Sequence, residues 1–327
     1  MRDFFEGCGD PLSAIVGESV GIKKVRSIVR QVACGDFPVL LEGETGTGKE
    51  LVARVIHALS DRKDKPFIPV NCGAIPADLM ESEFFGYRKG AYTGATGESH
   101  GLFGEADGGI LFLDEIVEMP VQLQVKLLRA IEDSEIKRLG DTRYTRVDVR
   151  IIAATNKNVE EALKRGELRK DLYYRISCVR IKLPPLRERK DDIPLLVEHF
   201  IEKFNRKYDR KMKGLTARAM DSLLYYDWPG NVRELENVIK RAYALGKGDT
   251  IEIGDIPRYI WDGNENFPPD YLSVEEAEKK AILQALKASG GNKTRAAKLL
   301  GIGRKTLYDK MKKYGLFPAG YSSREPS

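Results

Sequence analysis

Long apolar runs are missing from this 327-residue chain. Its most apolar stretches, such as Ile110-Leu111-Phe112-Leu113, stop far short of the roughly 20 residues that span a bilayer. The opening Met1-Arg2-Asp3-Phe4-Phe5-Glu6-Gly7 has no apolar core and no secretory cleavage site. Cysteine and histidine are scarce: four of the first (Cys8, Cys34, Cys72, Cys178) and three of the second (His57, His100, His199), none at metal-ligand spacing. That scatter argues against a zinc site or a disulfide framework and makes a reducing cytoplasm the default. Extreme polarity is lacking too. With 42% hydrophobic and 31% charged residues, the composition is that of a soluble folded protein and not of a disordered one. Membrane, secreted and metal-scaffold classes drop out.

A strong excess of charge is also lacking overall, since the net charge is only +5. The excess is local. Between Gly291 and Gly315, eight basic residues (Lys293, Arg295, Lys298, Arg304, Lys305, Lys310, Lys312, Lys313) stand against Asp309, a net of +7 that leaves the remainder slightly acidic. Charge alone admits two readings: a nucleic-acid contact confined to one end, or a solvated basic helix face.

The length suggests about two or three domains. Before Pro184, short apolar strands alternate with segments of helical spacing. Val39-Leu40-Leu41, Phe67-Ile68-Pro69-Val70, Ile110 to Leu113, Val149 to Ala154 and Val179 to Leu183 are the strands; Glu50 to Leu59 and Val121 to Ile131 are helices among them. Such alternation implies a parallel sheet with ligands at the carboxyl ends of its strands. From Pro185 to about Ile260 only helical patterns are read. There Asn231, after Trp228-Pro229-Gly230, is expected to cap the helix Val232 to Ala244 by accepting its free N–H groups. The stretch Asp262 to Asp270, poor in apolar residues and with two prolines, is the linker candidate. No internal repeat or low-complexity segment stands out.

Directly after the first strand comes Gly43-Glu44-Thr45-Gly46-Thr47-Gly48-Lys49-Glu50, followed by a helix. This is a phosphate-binding loop in its strand–loop–helix context: glycines let backbone N–H groups turn inward, Lys49 reaches the β- and γ-phosphates, and the helix N-terminus favours anions. Glu50 stands where Ser or Thr usually meets magnesium, so the metal needs another anchor. The strand Gly108 to Leu113 supplies one by ending in Asp114-Glu115. Alone, such a pair is as readily a solvated strand end. Downstream of a phosphate loop, Asp114 becomes the candidate magnesium holder, directly or through water, and Glu115 the residue that polarises attacking water.

With these residues in place, the chain resembles the AAA+ ATPases, and specifically the bacterial sigma-54-dependent transcription activators (enhancer-binding proteins). The resemblance runs from about Ile15 to Ile260 and resumes in the basic tail. Its most specific element is Gly90-Ala91-Tyr92-Thr93-Gly94-Ala95, flanked by Glu83 to Gly86 and Gly101 to Phe103; the family has Phe where this chain has Tyr92. The resemblance makes this a mobile loop that touches sigma-54, a contact expected to survive the added hydroxyl. It also implies that Asn71 restrains the catalytic glutamate, that Thr155-Asn156 is the first sensor of the γ-phosphate and that Arg233 is the second. By the same match Arg169 and Arg175 are arginine fingers supplied to a neighbouring subunit, and Ile15-Val16 line the adenine pocket. Without the family match, Arg169 and Arg175 would read as surface ion pairs with Glu167 or Asp171.

In the tail, Asn292 to Leu300 and Arg304 to Lys313 read as two short helices about the turn Gly301-Ile302-Gly303, a helix-turn-helix that resembles the Fis-type module. Lys293, Thr294, Arg295, Arg304, Lys305, Thr306, Tyr308, Asp309 and Lys312 are the candidates for DNA contact. The preceding helix, Val274 to Ala288, is expected to dimerise the module.

The expected fold is thus α/β: an AAA+ P-loop NTPase parallel sheet (14–184) with a helical lid subdomain (185–260), then a linker (261–272) and a small all-α Fis-type helix-turn-helix domain (273–317). Residues 1–13 and 318–327 are read as an extension and a tail. The residues before Ile15 are too few for a receiver or ligand-sensing domain, which leaves control to a separate protein or to a domain removed from the chain. The expected activity is ATP hydrolysis with Mg2+ in a homo-oligomer, from dimer to hexameric ring. Double-stranded enhancer DNA and the sigma-54 RNA polymerase holoenzyme are the partners, and the closed promoter complex is remodelled to the open one. A DNA-binding regulator with a degenerate ATPase would need a broken catalytic set. A remodeller with a non-transcription client would need neither the Gly90–Ala95 loop nor the tail.

Overall fold

The five apolar segments pair side by side in a computed structural model, which describes residues 10–91, 97–246, 248–261, 281–286, 288–289, 292–314 and 316. They are β1 (Val39–Glu42), β2 (Phe67–Asn71), β3 (Ile110–Asp114), β6 (Arg150–Thr155) and β7 (Val179–Lys182), while β4 (Glu135–Ile136) and β5 (Thr145–Arg146) form a separate hairpin. The sheet runs β2-β3-β6-β1-β7 with every pairing parallel. Alternation sorts its side chains by face. Leu40, Leu111, Leu113, Ile151 and Ala153 enter one core; Val39, Leu41, Ile110, Phe112, Ile152 and Ala154 enter the other. Both faces are buried, which is why these strands read as near-continuous apolar runs.

Helices α1 (Val20–Ala33), α2 (Lys49–Leu59), α3 (Ala77–Phe85), α4 (Gly101–Glu105), α5 (Val121–Asp133), α6 (Val159–Arg165) and α7 (Lys170–Ile176) connect and cover the strands. Because β1 leads to the far edge strand β2, the strand order turns back around β1. The crevice beyond its carboxyl end is the place such a sheet offers a ligand. At the opposite end, buried Arg150 donates to the carbonyls of Val32 and Ala33 at 2.7 Å each and of Phe37 at 3.3 Å. A guanidinium there satisfies the last carbonyls of α1 and the negative end of its dipole.

The helical region holds α8 (Ile193–Tyr208), α9 (Ala217–Tyr225), α10 (Asn231–Leu245) and α11 (Arg258–Trp261) around Trp228, whose indole N–H donates to the Leu223 carbonyl at 2.8 Å. It is not purely helical as the sequence suggested. A two-residue parallel ladder joins β8 (Gly214–Leu215) to β9 (Thr250–Ile251); segments that short carry no visible alternation. Asn231 is a second correction. It is the first helical residue and not the cap, Gly230 takes the cap position, and no side chain caps α10. The Asn231 Oδ1 instead accepts the Leu186 N–H at 2.7 Å.

The chain divides into two compact units, Met1–Asn264 and Glu265–Ser327. In the second, helix Lys293–Leu299 is capped by Asn292, whose Oδ1 accepts from Thr294 and Arg295 N–H at 3.1 Å each. Gly301 turns the chain at φ +67° into helix Arg304–Lys313. Ile282, Ala285, Ala296, Ala297, Leu307 and Met311 form its core. Of the proposed dimer helix, only 281–286 and 288 are described, and they are helical. Residues 1–9, most of the linker and the tail 318–327 lie outside the described residues.

Replacing Arg150 by Met should strand three carbonyls and lower the unfolding free energy by about 2–3 kcal/mol. An earlier urea midpoint at unchanged slope is the expected result.

Candidate nucleotide site

The turn after β1 is built by glycine. Gly46 and Gly48 adopt φ of +80° and +102°, a region open to glycine at little cost. Gly43 N–H donates to the Thr155 carbonyl at 3.2 Å, which ties the entry of the loop to β6. Helix α2 starts at Lys49 with no side chain capping it, so its N-terminal N–H groups point toward whatever the loop encloses. Lys49 is 7% exposed, and its Nζ donates to the carbonyls of Gly43 at 2.8 Å and Glu44 at 3.1 Å. Burial holds its pKa below the usual lysine value against the pull of the Asp114 and Glu115 carboxylates, and Arg233 lowers it further. An anion in the loop would stabilise this buried ammonium.

The acids arrive on β3. Asn71 and Asp114 are register partners across β2 and β3. Asp114 Oδ1 accepts the Glu115 N–H at 3.0 Å, and Glu115 sits at φ +53°, a strained conformation for a non-glycine residue that cocks its carboxylate off the strand end. Gly73 makes room for it: a Cβ there would lie 2.7 Å from Glu115 Oε2 and 3.3 Å from Asn71 Oδ1. Asn71 Oδ1 accepts the Gly73 N–H at 2.8 Å, so asparagine and glutamate flank one glycine. Beneath them the Cys72 thiol is pushed up to about 12, by burial first and then by Asp114 and Glu115. Glu50 turns back along its own helix, accepting Arg54 Nε at 3.0 Å and Nη2 at 2.7 Å.

Among the described residues no three His, Cys, Asp or Glu side chains converge on a point. The donor set nevertheless suits magnesium brought with a nucleotide, an ion that takes one or two carboxylates and completes its shell with phosphate oxygens and water. Asp114 is the carboxylate so placed.

Thr155 is buried at the end of β6, and its hydroxyl accepts the Lys157 N–H at 3.1 Å. Asn156 reaches the loop, donating from Nδ2 to Thr45 Oγ1 at 3.1 Å. Arg169 and Arg175 do not. Arg169 grips Asp171 with Nε at 3.0 Å and Nη2 at 2.6 Å, the ion pair that the sequence offered as the alternative. Arg175 donates to the Ile131 carbonyl at 3.3 Å. Buried Gln124 fixes the start of α7 by accepting the Arg169 N–H at 2.9 Å. Neither arginine has a hydrogen bond to the phosphate loop among the described residues.

Ile15, Val16, Leu183, Arg189, His199 and Phe200 surround a cavity of about 90 Å³ beside Thr47 and Gly48. A larger cleft of about 500 Å³ runs from Thr45 past Gly230 and Arg233 to Tyr259. The small apolar cavity fits the base-pocket expectation for Ile15 and Val16 better, because it adjoins the start of α2. Sequence reasoning picked Arg233 but missed Arg187, Arg189 and Asn231, which also reach the loop. The signal was present as two arginines in Leu186-Arg187-Glu188-Arg189, immediately after the strand-ending prolines.

Of the Gly90–Ala95 segment, Gly90 and Ala91 are described; Tyr92, Thr93, Gly94 and Ala95 lie outside the described residues. Its base is firm. Tyr87 bridges Ser99, the Ala91 N–H donates to the Arg88 carbonyl at 3.0 Å, and Arg88 pairs with Asp141 at 2.7 Å. In the tail, Thr294, Arg295, Arg304, Lys305, Thr306 and Asp309 are exposed or partly so. Lys293 Nζ lies 3.2 Å from the Tyr308 hydroxyl and 4.8 Å from its ring centroid. The Lys312 side chain lies outside the described residues.

A sigma-54 interaction domain matches residues 15–182. The chain belongs to the sigma-54-dependent transcriptional activators. An AAA+ ATPase lid domain matches residues 187–270 and a Fis-family bacterial regulatory domain residues 273–314. Relatives of this activator include the transcriptional regulatory protein ZraR of Escherichia coli K12, 47% identical over 91% of this chain and 68% of its own. The response regulator PilR of Pseudomonas aeruginosa is 43% identical over 92% and 70%. NtrX of Brucella abortus, solved in complex with ATP, superposes with a TM-score of 0.72 at 34% identity, covering 92% of this chain and 69% of its own. A mutant form of RuvB from Thermotoga maritima, at 16% identity and a TM-score of 0.54 over 94% of this chain and 91% of its own, shares the fold.

The activator's Gly46→Ala variant should place a methyl 2.2 Å from the Gly230 carbonyl at a positive φ. About a tenfold or greater loss of affinity for a fluorescent ATP analogue is expected, with far-UV circular dichroism unchanged. Native alkylation by iodoacetamide at about pH 8 should modify exposed Cys34 and Cys178 and spare Cys72. Peptide mass mapping reads the difference.

Proposed function

We propose that this activator hydrolyses ATP in a self-assembled ring and uses the energy to remodel a closed promoter complex of sigma-54 RNA polymerase. The helix-turn-helix holds it on upstream enhancer DNA. The observation that carries the reading is the convergence of Lys49, Asp114, Glu115 and Asn156 around one glycine-built loop at the switch point of the sheet, while Arg169 and Arg175 bond to Asp171 and the Ile131 carbonyl.

Phosphates bind on the loop N–H groups and Lys49. Asp114 would hold a magnesium ion brought with the nucleotide, which would supply positive charge to offset that of the phosphates. Glu115, cocked at the end of β3, orients a water and draws off its proton; the neighbouring Asn71 restrains it until the γ-phosphate is in place. Asn156 passes the state of the γ-phosphate to the loop through Thr45. The transition state carries charge on the transferred oxygens, which asks for a guanidinium. Arg169 and Arg175, bonded within their own chain to Asp171 and the Ile131 carbonyl, are supplied by a second copy, and hydrolysis depends on assembly. A hexamer is the ring size that the resemblance implies. Movement at the phosphate loop is passed on to sigma-54 by the segment that includes Tyr92 and Thr93. In the tail, exposed Arg304, Lys305 and Thr306 at the start of the second helix suit entry to the major groove.

ATPase turnover per subunit should rise with protein concentration, and oligomer mass should increase with a transition-state analogue. Lys49→Ala and Glu115→Ala should each lower hydrolysis by about 100-fold or more. Turnover persisting in either variant would remove the site assignment. Thr93→Ala should keep hydrolysis and lose open-complex formation by sigma-54 holoenzyme on a promoter template; normal opening would move the client contact elsewhere.

A further inference from the structure

Four consecutive residues of the phosphate loop are each held by the helical region. Arg187 forks onto the Glu44 carboxylate, Nη1 to Oε2 at 2.8 Å and Nη2 to Oε1 at 2.6 Å. Asn231 Nδ2 donates to the same Oε2 at 3.2 Å and to the Thr45 carbonyl at 3.1 Å. The Arg233 N–H donates to the Gly46 carbonyl at 3.2 Å, and Arg189 Nη2 to the Thr47 carbonyl at 3.3 Å. Asn231 is fully buried and held at φ +53°, a strained conformation its several bonds have to maintain.

Stability does not explain the outermost of these bonds. Arg187 and Glu44 keep 41% and 42% of their side-chain surface in solvent, and a pair that open adds little to folding. Its geometry is specific all the same, a two-bond fork shared with a buried amide. Arg187 also holds the Glu44 carboxyl down at about 2, so a negative charge sits permanently within a loop that has to accept phosphate. That charge is tolerable only while it is neutralised.

We infer that Glu44 and Arg187 are a positioning pair that clamps the lid to the phosphate loop and neutralises the loop's own carboxylate, so that loop and lid move together as nucleotide binds and is cleaved. The inference rests on reading Gly43–Lys49 as the phosphate loop. It gives the lid a mechanical link to the nucleotide site that does not pass through the nucleotide itself, and the Asn156–Thr45 bond joins that link to the end of β6.

Four forms of the full chain test it: wild type, Glu44→Gln, Arg187→Gln and the double variant. Binding of a fluorescent ATP analogue, steady-state turnover and hydrogen exchange across 231–245 are measured on each. Arg187→Gln, which leaves Glu44 unneutralised, should raise the analogue Kd and the KM for ATP by about tenfold while kcat at saturation changes by less than about twofold. It should also speed exchange in α10. Glu44→Gln should have a smaller effect, and the double variant should be no worse than Arg187→Gln, because removing the carboxylate removes the repulsion. Arg187→Lys should recover part of the affinity, since it restores charge without the fork. Multiplicative losses in the double variant, or an unchanged KM in Arg187→Gln, would overturn the clamp while leaving the site intact. A wild-type chain that binds no analogue would overturn the phosphate-loop reading and the clamp with it.

Discussion

Everything in the larger unit is arranged around one buried ammonium. Lys49 sits at the head of α2, where the helix dipole disfavours positive charge, and its nearest acceptors are carbonyls of its own loop. A cation buried at the positive end of a helix is an unfavourable arrangement unless an anion completes it. The sheet brings Asp114 and Glu115 close enough to offset the burial in part, but they make no direct bond with Lys49. The folded chain thus carries an electrostatic deficit at one point, and phosphate is the chemistry that removes it.

The same requirement organises the acidic side. Glu115 holds a left-handed backbone conformation, and Gly73 leaves the space its carboxylate occupies. A side chain at position 73 would push Glu115 from its place. Asn71, Gly73 and Glu115 therefore act as one small assembly at the ends of two adjacent strands, and parallel pairing of β2 with β3 sets their spacing. Strain at Glu115 and the absent side chain at Gly73 serve the same end, a carboxylate held clear of the strand that delivers it.

Most of this was legible in the sequence because the phosphate loop and the Asp-Glu strand end are local patterns whose meaning does not depend on the rest of the chain. The strands were legible for a related reason: buried on both faces, β3 and β6 show unbroken apolar runs. What escaped depended on contacts distant in sequence. Asn231 follows a Pro-Gly turn and carries the residue type of a helix cap, yet its partners lie at Leu186, Glu44 and Thr45. Local capping chemistry lost to bonds that only the folded chain brings within reach. Arg187 and Arg189 stood in view as two arginines after the strand-ending prolines, but their partners Glu44 and Thr47 are equally distant in sequence, and the β8–β9 ladder was too short to carry a period. Arg169 and Arg175 are a different case. Within one chain they bond to Asp171 and the Ile131 carbonyl, so the finger role that the resemblance implies belongs to the proposed contact between copies.

That last point constrains how the two halves of the chemistry relate. A loop with a charge deficit binds its anion without help, since the N–H groups, Lys49 and the acids all come from one chain. Cleavage is another matter, because the guanidinium groups proposed for the transition state bond elsewhere, Arg169 to Asp171 and Arg175 to the Ile131 carbonyl. On the proposed mechanism, binding belongs to the monomer and catalysis to the contact between copies. In such an arrangement a solitary chain can load nucleotide without consuming it, and the step that commits the nucleotide is the arrival of a neighbour. In the proposed mechanism assembly becomes the trigger, with Gln124 and Asp171 fixing the start of α7 and Arg169 within their own chain.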